Sequence, residues 1–98
     1  MDEDQPAIVK LLRSLPGCTV EPIGKPLDLL IGWQGVTILA EVKSPPGPRG
    51  GTKGHSRNYN AKQQAWVDAW RGAPPLKLTL LDCIAKVEAE VARQKEGR

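Results

Sequence analysis

Three charged residues in the apolar middle of this sequence are of types that could hydrolyse a phosphodiester. Asp28 lies near the start of one apolar run, while Glu41 and Lys43 lie at the end of the next, separated by Val42. Two neighbouring carboxylates repel each other unless a cation offsets their charge, and Mg²⁺ prefers oxygen ligands of this kind. A lysine amine beside them could orient a water nucleophile or stabilise charge on phosphorus. The pattern indicates a divalent-metal site formed by Asp28, Glu41 and the Val42 carbonyl.

A two-residue turn predicts how these side chains meet. Segments 27–33 and 36–43 are rich in Leu, Ile and Val, and Gln34-Gly35 separates them. Glycine at the second loop position suits the positive φ of a tight hairpin turn. Paired residues then have numbers that sum to 69, so Asp28 faces Glu41. Both carboxylates, and the lysine two residues after Glu41, should project from the same side of the sheet.

The alternative interpretation is purely structural. In it, Asp28 is an exposed acid at the start of a strand, and Glu41 and Lys43 form a charge pair on the surface. A lone Asp followed by Glu-x-Lys is common by chance, so the hairpin register and the basic segment that follows it decide in favour of a site.

Positive charge is concentrated in that segment. The formal net charge is +3, but residues 43–62 hold five cations and no acid, which leaves nine basic and eleven acidic residues elsewhere. Such a concentration suits contact with a phosphate backbone. Segment 44–57 is rich in Pro and Gly and is predicted to be a flexible basic loop. The candidate nucleic-acid contacts are Arg49, Lys53, Arg57 and Lys62. The alternative is a solvated basic loop without a ligand.

Apolar periodicity and turn residues predict the elements that position the site. In chain order they are a helix over 6–15, strands over 18–23, 27–33 and 36–43, a helix from Asn60 to Arg71-Gly72, a strand over 76–80, and a helix starting at Thr79 or Asp82. Asn60 and Gln63 have capping-box spacing, and Pro22 restricts its strand to an edge or an end. This order predicts a single α/β domain over residues 1–98, with one mixed sheet flanked by helices.

Other features of the sequence bear on the cellular compartment of the protein and on its core. No apolar run approaches the roughly 20 residues of a membrane helix, and the acidic start differs from a basic secretory signal, so a soluble, cytoplasmic protein without a membrane partner is expected. Cys18 and Cys83 lack zinc-site spacing and are expected to be reduced core residues. Trp33, Trp66 and Trp70 are assigned to packing rather than to stacking on bases.

The segments Pro26-Leu27-Asp28 and Glu41-Val42-Lys43 resemble the motif of the PD-(D/E)XK nuclease superfamily, which carries its Asp and Glu-x-Lys on the second and third strands. The resemblance covers nearly the whole chain and implies a restriction-endonuclease-like core with an added C-terminal helix. Within the superfamily the chain is most similar to small stand-alone VRR-NUC proteins, often phage-encoded. Asn60-Ala61-Lys62-Gln63 followed by Trp66 fits their helix after the basic loop. This implies a catalytic role for Gln63, with helix capping alone as the alternative.

Two departures from the superfamily pattern concern the metal site. Leu27 separates proline from Asp28, and the first helix has Gln5 where relatives place a glutamate, with Glu3 and Asp4 as displaced candidates. Simple helix N-terminal and solvent roles remain the alternative for these residues, and one or two metals remain open. His55 could be a general base, but a DNA contact or no role is more typical of a lone loop histidine.

The resemblance implies a Mg²⁺- or Mn²⁺-dependent, structure-selective endodeoxyribonuclease acting on branched DNA such as Holliday junctions. It also implies a cytoplasmic setting in a bacterial or phage-infected host cell. A homodimer is expected, with Val87 and Val91 on the final helix as interface candidates. The alternatives are a catalytically inactive nuclease-fold DNA-binding protein, and a small interaction protein whose charge has no nucleic-acid role.

Overall fold

Three helices and four strands form the described part of the protein. The computed structural model describes residues 4–43 and 59–97. The elements are α1 (Gln5–Arg13), β1 (Thr19–Pro22), β2 (Leu29–Trp33), β3 (Val36–Val42), α2 (Ala61–Ala69), β4 (Leu76–Leu78) and α3 (Cys83–Glu96). Their types and order agree with the sequence prediction, and only the boundaries differ. The predicted basic loop 44–57 lies outside the described residues.

The strands form one mixed sheet in the order β1-β2-β3-β4. The first three strands are antiparallel, whereas β4 runs parallel to β3. Parallel neighbours need a crossover connection, and α2 lies within the segment that supplies it. Pro22 ends β1 at an edge of the sheet, as predicted, because proline cannot donate a ladder hydrogen bond. The α/β class and the mixed sheet are therefore confirmed.

The β2–β3 hairpin has the predicted register. Gln34 has a φ of 53° and Gly35 a φ of 78°, the two positive values that a type I′ turn requires. Trp33 pairs with Val36, and Leu29 pairs with Ala40 at the far end. Both strands are slightly shorter than predicted, since β2 begins after Asp28 and β3 ends before Lys43.

Helices α1 and α3 pack together beside the sheet and bury its apolar side chains. The core residues include Ile8, Leu12, Ile31, Ile38 and Leu78. Cys18 and Cys83 are both free and buried, as predicted, and burial raises the pKa of each thiol.

The predicted interface role of α3 is wrong for both of its named residues. Val87 is 0% exposed and Val91 is 4% exposed, because the apolar face of α3 packs into the core. Neither side chain is therefore left for a second copy to contact.

Packing of α2 also differs from the prediction. None of its residues is buried, so the expected core positions of Trp66 and Trp70 are wrong. The two indoles instead stack on each other, with centroids 4.9 Å apart, and Trp70 is 40% exposed. Periodicity identified an apolar stripe but not the surface that the stripe meets. Trp33 does pack against the core, and its Nε1 donates to the Pro16 carbonyl at 2.9 Å.

None of the helices described between residues 4 and 43 or between 59 and 97 combines the length and apolarity needed to cross a membrane.

Candidate active site

Strand alternation places Glu41 on the face of the sheet away from the core. Its neighbours Ala40 and Val42 belong to the core, so the Glu41 side chain points to the opposite face. Glu41 is nevertheless only 6% exposed. A buried carboxylate at this position needs partners that offset its charge.

Backbone N–H groups of β3 and of the connection between β1 and β2 hold Asp28 beside Glu41. The Val42 N–H donates to Asp28 Oδ2 at 2.8 Å, while the Asp28 carbonyl accepts from Ile23 N at 2.9 Å and Gly24 N at 3.3 Å. The Ile23 bond continues the β1–β2 pairing by one residue, and the Asp28 carboxylate reaches the backbone of β3. The structure thus brings Asp28 next to Glu41, as the turn geometry predicts.

The two carboxylate oxygens of Glu41 differ in their partners. Gln63 Nε2 donates to Glu41 Oε2 at 2.6 Å, and Lys43 Nζ lies 3.7 Å from the same oxygen. Glu41 Oε1 is buried without a hydrogen-bond partner among the described residues. Burial raises the pKa of Glu41, the Gln63 hydrogen bond lowers it, the charge and the close approach of the Asp28 carboxyl both raise it, and the Lys43 charge lowers it, with a net increase. The orphaned oxygen and the raised pKa both indicate a charge that the protein leaves incompletely compensated.

Gln63 is oriented by the predicted capping box. Asn60 Oδ1 accepts from Gln63 N at 2.8 Å, and Gln63 Oε1 accepts from Asn60 N at 3.2 Å. Because the amide oxygen faces the helix cap, the amide nitrogen is left to donate to Glu41. Capping and site contact were alternatives in the sequence, but one side chain makes both sets of bonds.

Tyr59 and Lys77 also lie near Glu41, and neither was a candidate in the sequence. Lys77 is the Cα partner of Glu41 in the β3–β4 pairing, and its Nζ lies 4.5 Å from the centre of the Tyr59 ring. Burial and the Glu41 charge raise the pKa of Tyr59. Two features of the sequence could have identified them, namely a lysine inside an apolar strand and a tyrosine directly before the helix cap.

The donors around Asp28 fit a hard divalent ion. Within a strand the N–H and C=O of one residue point to the same side, so the Val42 carbonyl is directed to the side where its N–H meets Asp28. With Glu41 this gives two carboxylates and a carbonyl. Mg²⁺ usually takes one or two protein carboxylates and completes its shell with water and phosphate oxygens. Among residues 4–43 and 59–97 no cluster of three or more His, Cys, Asp or Glu side chains could hold a metal.

Among the described residues, none of the first-helix candidates adds a third carboxylate to the site. Gln5 is buried at the start of α1, where an amide supplies no negative charge. Asp4 is half-buried at the N-cap position and makes no side-chain capping bond. Glu3 lies outside the described residues.

One predicted nucleic-acid contact borders the site. Lys62 is exposed on α2 and lines a cleft of about 540 Å³ with Lys25, Pro26, Gln63 and Trp66. We call this the α2 cleft. The other predicted contacts, Arg49, Lys53 and Arg57, lie outside the described residues, as does His55.

Comparison with protein-family models, with curated proteins and with solved structures found no match for this chain. The superfamily resemblance therefore remains a prediction from the motif and the order of elements. The observed fold is an α/β fold with a four-stranded mixed sheet and, among the described residues, three helices.

Proposed function

We propose that this protein is a Mg²⁺- or Mn²⁺-dependent endodeoxyribonuclease with a restriction-endonuclease-like core, most similar to VRR-NUC proteins of the PD-(D/E)XK superfamily. The single observation that carries the proposal is Glu41, whose buried Oε1 has no partner in the described part of the protein although Asp28 lies beside it. A site that binds a cation would complete this arrangement.

The surface-pair alternative does not fit this geometry. The side chains of Lys43 and Glu41 are only 15% and 9% exposed. Two adjacent carboxylates of which one is buried destabilise a protein in the absence of a compensating charge. A functional requirement explains their placement better than stability does.

The residues of the site have separable roles. Asp28, Glu41 and the Val42 carbonyl would hold the metal, with Asp28 oriented in advance by the Val42 N–H. A bound Mg²⁺ or Mn²⁺ supplies polarisation of the scissile phosphate and a lower pKa for water. Lys43 would orient the attacking water or neutralise charge that develops on the phosphate oxygens.

Gln63 would keep Glu41 ionised, because its N–H donor favours the charged carboxylate. This is the role of a positioning residue, since Gln63 acts on the site through Glu41.

The proposed substrate is DNA of branched or otherwise irregular structure, such as a Holliday junction. The concentrated positive charge of residues 43–62 supports phosphate binding. A homodimer would present one site to each of two strands, in a bacterial or phage-infected cell. Its interface would not use Val87 or Val91.

A second candidate is a catalytically inactive DNA-binding protein with this fold. The observation in its favour is Gln5, an amide at the place where the resemblance implies a first-helix glutamate. Loss of that acid would leave the basic surface intact while weakening metal binding.

Cleavage assays separate the two candidates. Wild type, Asp28→Asn, Lys43→Ala and the control Lys10→Ala would be compared on linear, nicked, flap and four-way DNA with Mg²⁺, Mn²⁺ or EDTA. Lys10 is an exposed lysine on α1, on the other side of the sheet. We expect metal-dependent cleavage that falls by at least about 10²- to 10³-fold in the two site variants and stays unchanged in the control. Binding without cleavage by wild type in either metal would support the inactive candidate.

A further inference from the structure

We propose that the α2 cleft binds an unpaired nucleotide of the DNA substrate, with its base on Trp66 and its phosphates near Lys25 and Lys62. The inference rests on the proposed nuclease function for the identity of its ligand. It adds Lys25 and Trp66 to the substrate-binding residues and gives structure selectivity a physical basis.

The cleft has walls from two separate segments. Lys25 and Pro26 belong to the connection between β1 and β2, whereas Lys62, Gln63 and Trp66 belong to α2. Its volume of about 540 Å³ falls within the range that encloses small ligands. A nucleotide could therefore enter between the loop and the helix.

Trp66 has the exposure and support expected of a stacking platform. It is half-buried, belongs to a helix without buried residues, and lines the cleft. Trp70 stacks on it with ring planes 21° apart, which restricts the orientation of the Trp66 indole. Aromatic side chains in grooves that bind single strands hold bases in this way, without regard to base identity.

Lys25 and Lys62 give the cleft the charge that a nucleotide needs. Both side chains are exposed, and they approach the cleft from different walls. Successive phosphates of one strand could meet these two cations, while the base between them faces the indole. No acidic side chain lines the cleft among the described residues.

The cleft joins the candidate active site through Gln63. This residue lines the cleft and donates to Glu41 at 2.6 Å, and Asp28 follows Lys25 by three residues. A nucleotide in the cleft would therefore place a neighbouring phosphodiester beside Asp28 and Glu41. A paired and stacked base has no free face for Trp66, so unpaired strands at flaps and branches are favoured over plain duplex.

The test measures binding in EDTA, so that cleavage does not interfere. The probes are a duplex with a single-stranded oligothymidine flap and the same duplex without the flap. The variants are Trp66→Leu, Trp66→Phe, Lys25→Gln and Lys62→Gln, with Lys10→Gln as the matched control. Circular dichroism checks that each variant is folded.

We expect Trp66→Leu to weaken flap binding by about 5- to 100-fold, with little change for the plain duplex, and Trp66→Phe to restore most of the affinity. Each of Lys25→Gln and Lys62→Gln should reduce the slope of log K against log salt by about 0.7, and Lys10→Gln should not change it.

The outcomes distinguish this inference from the proposed function. If Trp66→Leu and Lys25→Gln bind the flap as wild type does while Lys43→Ala still abolishes cleavage, the cleft proposal is wrong and the nuclease proposal stands. If wild type never cleaves but its flap binding depends on Trp66 and Lys25, the cleft proposal stands alone. Tighter, Trp66-dependent binding of an oligouridine RNA flap would overturn the assignment to DNA.

Discussion

Glu41 is subject to opposing influences from the residues around it. Burial and Asp28 favour its protonated form, whereas Gln63 and Lys43 favour the ionised form. The net increase in pKa means that the site as built holds its negative charge against an electrostatic penalty. If the proposed divalent ion binds here, it would remove that penalty, and the charge state of Glu41 would then link folding to metal binding.

The first prediction concerns stability. Because the folded pKa of Glu41 is raised above its ordinary 4.5, its stabilising contribution is full below that value and is lost as pH rises through the folded pKa. At neutral pH without divalent ions, Glu41→Gln should therefore unfold at a higher temperature than wild type. Thermal denaturation from acid to neutral pH measures this difference.

Addition of Mg²⁺ should reverse the order of the two unfolding temperatures, so that wild type becomes more stable than Glu41→Gln. At ten times its Kd, Mg²⁺ should stabilise wild type by about 1.4 kcal/mol, or about 6 to 11 °C in Tm, and stabilise Glu41→Gln less. Asp82 and Glu90, whose pKa values are lowered, are unchanged in both proteins, so the difference isolates Glu41. Equal responses to Mg²⁺ would argue against a metal at Glu41.

The second prediction uses the pH dependence of cleavage. Gln63→Leu removes the donor that lowers the pKa of Glu41, so the acidic limb of the pH–rate profile should move to higher pH. Gln64→Leu is the matched control, because Gln64 bonds Asp68 on the exposed side of α2. A uniform loss of rate at every pH would show that Gln63 acts only on structure.

At the scale of single residues, the sequence predicts contacts that a local feature such as a turn determines, and does not predict contacts between distant parts of the chain. The position of Asp28 opposite Glu41 follows from the Gln34-Gly35 turn, which the sequence makes visible. Lys77 reaches Glu41 only through the parallel pairing of β3 with β4, and Tyr59 approaches Glu41 from the segment before α2, so both contacts join distant parts of the chain. No local pattern reports such a pairing.

At the scale of elements, α2 differs from α1 and α3. It carries Gln63 to the site and yet buries none of its own side chains, so its position depends on its cap and on a few polar bonds. An element of this kind can open locally without unfolding the sheet. The site therefore depends on a helix that contributes little to the core.

The third prediction tests whether α2 opens independently of the sheet. Asn60→Ala removes the cap, which typically stabilises a helix by about 1 kcal/mol, so amide exchange over 61–69 should accelerate about fivefold. Cleavage should fall, while the global Tm changes little. Asn60→Asp keeps an acceptor for Gln63 N and should preserve both properties. Hydrogen-exchange mass spectrometry and the cleavage assay provide the measurements, and a large drop in Tm with unchanged exchange would contradict the proposal.

Element predictions succeeded where the signal was local and failed where packing decides. The α2 cap and the hairpin turn were both identified from a few adjacent residues. The burial of Trp66 and Trp70 was not, because an apolar stripe does not reveal whether the core has room for it. The exposed side of α3 was misjudged for the same reason, since Val87 and Val91 lie on the face that the core covers.

At the scale of the whole molecule, the fold separates stability from chemistry. Helices α1 and α3 pack with the apolar face of the sheet, and the charged residues of the site project from the other face. Charge follows the same division, since the cationic segment begins at Lys43 beside the site. This arrangement would leave the proposed substrate binding to residues that the core does not require.

The fourth prediction concerns assembly. If each chain cleaves one strand of a four-way junction, two chains should bind one junction. Sedimentation velocity with labelled junction and the Asp28→Asn variant, which should bind without cutting, measures this stoichiometry. A single chain per junction, together with monomeric free protein, would refute the homodimer.

The two buried cysteines give the protein an internal chemical reporter. Burial raises the pKa of Cys18 and Cys83, so few thiolates are available to react with an alkylating reagent while the core is closed. Cys18 lies just before β1 and Cys83 begins α3, at two separate places in the chain. Their alkylation rates would therefore record how often each part of the core opens, without any introduced label, and would show whether metal or DNA binding closes both parts together.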